Sequence, residues 1–380
     1  MDNSLNPLQA VYALKGKTIP NRFVAQAMEI NTAGTGGSVS EGVIKRYNEL
    51  ARGGWGIVFI EATSITDAHL ARQNGLVLNK ANLDGFKRLV DEFKAINDKS
   101  LLLIQLTHSG RQSGAFSQKV KVYDDEQSDI PVLTETELDA IKEQFAEAIK
   151  LANRAGLDGV DVKACHGYLG GEFLRPLNKR SDKYGGSIAN RARFISDLIA
   201  VAKDQHPAFI VGSRISVFEG IRGGCGTANE NELIEDFTDM HEILTRFIDA
   251  GTDYINVSGG IPTKTPLLTR PLKNGEFYRI SHYRYTKVLK QALSQVAVIG
   301  STYTTGDETC LSLAQENITK GYTDFVGFGR QNLADPLFPV KAVEDPEAID
   351  YCTLCGKCSL LLKDDKNIYC QTRHSSNPYL

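Results

Sequence analysis

Tryptophan occurs once and methionine three times in these 380 residues, so a Met-rich adaptable binding surface is excluded. No apolar run approaches the ~20 residues that cross a bilayer, which excludes a helical membrane anchor. The opening MDNSLNPLQAVYALKGK has no basic stretch leading into a long apolar core, so a secretory leader is not expected. Neither sign of charge dominates: 43 Lys and Arg face 46 Asp and Glu, a net charge of −3 that recommends neither nucleic acid nor a membrane surface as partner. Proline is sparse at 12 residues and low-complexity tracts are missing, so no internal linker divides the chain. Cys165, Cys225 and Cys310 are dispersed, as suits a reducing compartment, and the expected location is cytoplasmic.

What is present is a rhythm of short, β-branched apolar runs. They fall near 22–28, 56–61, 101–106, 157–162, 209–215, 253–258, 296–300 and 324–328. Runs this continuously apolar suit strands buried on both faces, as in a parallel sheet covered by helices. Between them lie helical patterns. Ser38-x-x-Glu41 and Thr134-x-x-Glu137 have capping-box spacing, and Ala155-Gly156 supplies a C-terminal stop for the second helix. About eight β-then-α units predict an α/β fold of the (β/α)8 TIM-barrel type. The alternative is an open doubly wound sheet. It would usually bring an early GxGxxG or a GxxxxGK followed by Ser or Thr, and neither occurs. Two long loops, 107–133 and 259–282, are expected over the C-terminal face, where barrels keep their chemistry.

Several residues at strand ends suit chemistry there. Lys163 and His166 follow the fourth apolar run in VDVKACHGYL, two donors able to hold a developing oxyanion. Gln105 ends the third run with an amide that both donates and accepts, and Arg214 ends the fifth with a cation. After runs seven and eight come Gly300-Ser301 and Gly327-Phe328-Gly329-Arg330. Glycine there lets backbone approach a phosphate, and arginine adds a bidentate cation.

The stretch 159–194, GVDVKACHGYLGGEFLRPLNKRSDKYGGSIANRARF, resembles the signature of the old yellow enzyme family of FMN-dependent ene reductases. NRFVAQAM at 21–28, YNELARGGWGIVFIEAT at 47–63, QLTHSGR at 105–111 and FGRQNLADP at 328–336 extend the likeness from Asn21 to Pro339. By that resemblance, Gln26, Ala27, Met28, Glu29, Ala62, Gln105, Arg214, Gly300, Ser301, Gly329 and Arg330 contact FMN. NADH or NADPH is the implied hydride donor, and the implied acceptor is an α,β-unsaturated carbonyl compound that shares the site in ping-pong fashion. His166, Lys163 and Tyr168 stand at the catalytic positions. Two departures are visible. Lys163 replaces the usual first histidine, where it is expected to keep His166 neutral, and Glu29 replaces the usual Thr or Cys. Pairing of Glu29 with Lys163 would offset a carboxylate beside the flavin. A Schiff base on Lys163, as in an aldolase, is the competing enzyme class.

The remaining cysteines crowd the tail: Cys352, Cys355, Cys358 and Cys370. Three at three-residue steps with one distant partner is iron–sulfur spacing, with zinc or free thiols as alternatives. The segment resembles the one that binds a 4Fe–4S cluster after the barrel of trimethylamine dehydrogenase and bacterial 2,4-dienoyl-CoA reductase. Those relatives continue into nucleotide-binding domains, and this chain is expected to lack that built-in electron supply. A partner protein feeding such a cluster is the third functional class. The expected organisation is an FMN-binding barrel over 1–345 and a Cys-rich extension over 346–380 packed on it, acting on a small molecule, with homo-oligomerisation left open.

Overall fold

A computed structural model of the protein describes residues 6–125 and 128–380. The first residues of the leader reading, and 126–127 within the long third loop, lie outside the described residues. Eight parallel strands close into a barrel in chain order. They are β3 (Phe23–Ala25), β4 (Ile57–Ser64), β5 (Leu101–Thr107), β6 (Gly159–Val162), β7 (Ile210–Ser216), β8 (Tyr254–Ser258), β9 (Ala297–Gly300) and β10 (Phe325–Phe328). Closure comes from β10 pairing with β3, Val326 opposite Phe23. All eight coincide with the predicted runs.

The sequence reading missed a two-stranded hairpin, β1 (Tyr12–Leu14) and β2 (Lys17–Ile19), turning on Lys15 and Gly16, both at positive φ. Leu14 and Ile19 pack with Val24, Ile57, Phe59, Leu101 and Tyr254. The hairpin therefore plugs the barrel at the end opposite the strands' C-termini. A larger core lies between strands and helices, where α1 (Glu41–Arg52), α2 (Leu83–Ile96), α3 (Glu135–Arg154), α5 (Ile188–Gln205) and α6 (Thr238–Asp249) bury their apolar faces. The short α4 (Leu169–Leu174) lies between α3 and α5.

Thr134 forms the full capping box with Glu137, and Gly156 follows that helix at φ +85°. The first predicted cap is corrected. Ser40, not Ser38, accepts from Val43 N at 3.2 Å, because the helix starts at Glu41 and Ser38 is still extended. The predicted loop 259–282 is shorter than expected. It holds α7 (Pro266–Thr269) and gives way to α8 (Glu276–Ala292), which buries Ser281, His282 and Tyr285. Beyond it run α9 (Thr309–Thr319), α10 (Arg330–Ala334), α11 (Phe338–Glu344) and, in the tail, α12 (Lys357–Lys363).

The tail lies against the barrel's C-terminal end. Ile368 N donates to Ile30 O at 2.8 Å, Asn367 Nδ2 to Asn31 O at 2.7 Å, and Asn31 Nδ2 to Asp365 O at 2.9 Å. Cys352 N donates to Gln331 Oε1 at 2.9 Å. Among the described residues no helix is long and apolar enough to cross a membrane.

Candidate functional site

At the strands' C-terminal ends a cavity holds about 1030 Å³ of space, counting its open mouth. Of the sequence-predicted residues, Gln26, Ala27, Met28, Glu29, Ala62, Gln105, Lys163, His166, Arg214, Ser301, Gly329 and Arg330 line it. Strand geometry explains the convergence. Gln105 and Arg214 sit near the ends of β5 and β7, and a register shift between Ile60 and Thr63 of β4 re-aims Ala62. Two predicted residues are not on the wall. Gly300 closes β9 with its N–H donated to Thr323 Oγ1 at 3.0 Å, so that N–H is unavailable to a ligand. Tyr168 is buried beneath Lys163, whose Nζ lies 3.4 Å from the ring centroid, and it faces a smaller neighbouring cavity.

Polar contacts fix the floor. Gln26 and Asn256 exchange two amide hydrogen bonds of 2.9 Å, and Arg214 donates to Gln26 Oε1. The other arm of Arg214 reaches Ser258 Oγ at 3.4 Å and Ser301 Oγ at 3.3 Å. Gln105 donates to Asp161 Oδ1 at 2.9 Å, and burial lifts that carboxyl to a pKa of about 6. Arg330 donates to Pro271 O at 2.6 Å. Arg214 Nε and Arg330 Nη1 are nonetheless buried with no hydrogen-bond partner. Such donors are costly to leave unsatisfied, and these two, lining the cavity, are candidates to meet acceptor atoms of a ligand.

His166 sits at φ +61°, an unusual conformation for a non-glycine residue, with its N–H donated to Ser216 Oγ at 3.0 Å. Its Nε2 meets Ser258 Oγ at 2.8 Å. Burial holds the ring well below its ordinary pKa, reinforced by Arg214 and then by Lys163 and Arg270. The expected influence of Lys163 therefore has the right sign but ranks third. The pairing of Glu29 with Lys163 that would offset its charge is not formed: Glu29 faces Arg72 at 3.7 Å, and Lys163 lies on the ring of Tyr168.

Sequence reasoning missed Ser258, Arg270, His282, Thr302 and the tail residues Leu362 and Ile368, all on the wall, and assigned Cys358, also on the wall, only to the tail's cysteine cluster. Ser258 ends β8 and His282 lies in α8, while the others come from loops and the tail. Conversely, the arginines of 175–191 look chemical and are structural. Arg175 clamps Glu219 through two bonds of 2.7 and 3.0 Å, Arg180 donates to the carbonyls of Val122 and Leu133, and Arg191 pairs with Asp239.

Cys352, Cys355, Cys358 and Cys370 line one small cavity together with Arg330. Among the described residues no three His, Cys, Asp or Glu side chains are placed to hold a metal ion. A zinc ion needs thiolates converging at ~2.3 Å from one point, whereas a multi-iron cluster holds its thiolates farther apart.

The family described as NADH:flavin oxidoreductase / NADH oxidase matches residues 10–347. The chain is 27% identical to an NADH-dependent flavin oxidoreductase of Talaromyces variabilis, covering 87% of this chain and 85% of the relative. It is 29% identical to an NADPH dehydrogenase of Bacillus pumilus, covering 88% and 93%. An NADH oxidase of Thermoanaerobacter brockii is 30% identical over 89% of this chain and 51% of its own length. Among solved structures, 2-naphthoyl-CoA reductase in complex with 2-naphthoyl-CoA superposes with TM-score 0.86 at 21% identity, covering 98% of this chain and 58% of that one. Histamine dehydrogenase from Rhizobium sp. 4-9 gives TM-score 0.77 at 20% identity, covering 96% and 52%. These two show a shared fold, and this chain spans little more than half their length.

Proposed function

The chain belongs to the NADH:flavin oxidoreductase / NADH oxidase family, and on that premise we propose that it reduces α,β-unsaturated carbonyl compounds in the cavity described. FMN is its cofactor and NAD(P)H its hydride donor. The cavity fits FMN. It is large enough, its floor offers alternating donors and acceptors, and two buried arginine N–H groups await acceptors. Gln26 to Glu29, Ala62, Gln105 and Arg214 would hold the ring system, and Ser301, Gly329 and Arg330 the phosphate.

Bound FMN supplies two-electron chemistry, accepting hydride from the nicotinamide and delivering it to the acceptor. The chain's part is to bind, orient and stabilise charge. Lys163 Nζ and a ring N–H of neutral His166 would hold the acceptor's oxygen, so that negative charge gathering there during hydride addition meets preorganised donors. Both substrates would use the same opening in turn. The observation that carries this reading is that Lys163 and His166 share one cavity with the unsatisfied N–H groups of Arg214 and Arg330. The Schiff-base reading of Lys163 gives way to it.

The test is the visible spectrum of anaerobically purified protein with NADH, then with 2-cyclohexenone. Flavin bands that bleach with NADH and return with the enone are expected. Protein that neither carries nor takes up FMN would overturn the reading.

One observation favours a second cofactor. Cys358 and Arg330 line both the main cavity and the cysteine cavity, so a 4Fe–4S cluster held by Cys352, Cys355, Cys358 and Cys370 would adjoin the FMN site. Residues 346–380 then act as a cofactor-bearing extension of the barrel over 1–345. Electron exchange with a partner protein is the function that arrangement would add.

A further inference from the structure

The side-chain amide of Gln105 can be turned end for end at no cost in shape, so something must decide which end meets a ligand. The deciding group lies one strand along. Gln105 of β5 stands opposite Asp161 of β6, Asp161 opposite Gly212 of β7, and Gly212 opposite Tyr254 of β8. Val160 and Val162, on either side of Asp161, pack outward against the helices, so this row faces the barrel interior. Gly212 is the gap in it: a Cβ there would come 2.4 Å from Tyr254 Cζ. Across that gap the Tyr254 hydroxyl donates to Asp161 Oδ2 at 3.1 Å, while Gln105 Nε2 donates to Oδ1 at 2.9 Å.

Asp161 is fully buried. Burial raises its pKa, and the Gln105 amide, the Arg214 charge and the Tyr254 hydroxyl oppose that rise, which leaves it at about 6. At about pH 8 it is a carboxylate, which accepts hydrogen bonds and cannot donate them. The end of Gln105 that meets it must therefore be the nitrogen. The amide oxygen, to which no described residue donates, is left to the main cavity that Gln105 lines. A buried carboxylate is a costly way to fill a barrel interior, and an apolar side chain of similar volume commonly costs less. What the charge adds is direction.

Resting on the placement of FMN in the main cavity, we propose that Asp161 is a positioning residue for that cofactor, holding the Gln105 amide with its oxygen toward the N3–H of the isoalloxazine. The pyrimidine edge of that ring carries one donor, N3–H, between two carbonyl acceptors. An amide held this way answers it with Oε1 to N3–H and the second Nε2 hydrogen to a neighbouring carbonyl. Turned round, the same amide would set donor against donor at the flavin and oxygen against carboxylate at Asp161. Asp161 is not on the cavity wall and acts only through Gln105, while the Tyr254 bond fixes the carboxylate's own plane.

The experiment is a double-mutant cycle read on FMN binding at about pH 8. Apoprotein of wild type, Asp161→Asn, Gln105→Ala and the double variant is titrated with FMN and followed by flavin fluorescence. Asn has the shape of Asp but donates as well as accepts, so it no longer dictates how Gln105 lies. Asp161→Asn is expected to weaken FMN binding about tenfold, the worth of one oriented hydrogen bond, and to have no further effect once Gln105 is Ala. Equal losses in both backgrounds would mean that Asp161 serves the barrel rather than the amide, and would overturn the inference. Unchanged affinity in Asp161→Asn would do the same. The second readout is the N3–H proton resonance of 15N-labelled FMN in the holoenzymes. It should lie downfield in wild type and move upfield in both single variants; movement in Gln105→Ala alone counts against Asp161. Should Asp161→Asn not fold, wild type still decides. Its N3–H resonance should move as pH falls from about 8 to about 5, through the Asp161 value, and stay in place in Gln105→Ala. Of the groups facing Asp161, Arg214 keeps its proton over that range, as do Tyr254 and Cys165, both pushed up by burial. A wild-type resonance indifferent to pH overturns the inference. Wild type that takes up no FMN sinks the parent reading and this inference with it, whereas FMN bound without the predicted coupling sinks this inference alone.

Discussion

Arg214 ties Gln26, Ser258 and Ser301 into one network yet keeps Nε buried without a partner. If that N–H is held for FMN, Arg214→Gln should weaken FMN binding about 10- to 100-fold, the worth of one hydrogen bond to a charged group. Fluorescence titration of the apoprotein measures this, and unaltered affinity would remove Arg214 from the FMN site. His282 makes a different prediction. Its Nε2 donates to Leu268 O at 2.8 Å, Nδ1 is buried without a partner, and burial lowers the pKa from 6.5 to about 4. The unfolded chain thus binds this proton more readily than the folded one between those values. The contribution is fully present above pH 6.5 and is lost as pH falls through about 4. A shift of that size corresponds to roughly 3 kcal/mol. Replacing His282 by Gln, which can still donate to Leu268 O, should flatten the fall in denaturation midpoint between pH 6.5 and 4 relative to wild type. Parallel curves for the two proteins would assign the acid lability elsewhere.

At the scale of elements, Gly42 of α1 tests whether the tail docks as described. A Cβ there would come 2.0 Å from Tyr379 O, while Arg46 Nη1 of the same helix donates to the hydroxyl oxygen of Tyr379 at 3.2 Å. In an exposed helix, Gly→Ala stabilises by about 1 kcal/mol. Gly42→Ala should instead destabilise, because the new methyl displaces the tail's backbone. The sign of the change in urea midpoint decides, and a stabilised variant would mean that the tail does not lie there. This tail is also where the sequence was least legible. The eight barrel strands announced themselves through continuous apolar runs, and the candidate residues at their ends line the cavity with the exception of Gly300. Leu362, Ile368 and Arg270 reach it from segments without periodic signal, so nothing local in the sequence marked them. The β1–β2 hairpin was too short to read as strands. Within 159–194 the difficulty was reversed. Arg175, Arg180 and Arg191 look functional because they are charged, but each braces loops around the site. Charge in a sequence does not tell whether a guanidinium is already occupied; only packing does.

For the whole molecule, the decisive relation is between the two cavities that meet at Cys358 and Arg330. Cys352 and Cys358 are largely withdrawn from solvent, Cys355 is exposed, and no disulfide joins any of the seven cysteines. Four unbridged thiols line one cavity next to the proposed flavin site with the spacing of an iron–sulfur segment, and among the described residues no three of them are placed to hold a single metal ion. Protein purified without oxygen should therefore carry about four iron atoms per chain and a broad brown absorbance beneath the flavin bands. Cys352→Ser should abolish both. Because the tail also supplies Leu362 and Ile368 to the main cavity wall, the same substitution should raise KM for the acceptor as the wall loosens. Metal analysis, the visible spectrum and steady-state kinetics on the two proteins separate these effects. One zinc per chain, or iron-free protein with all four thiols titratable, would reduce the tail to a wall of the cavity.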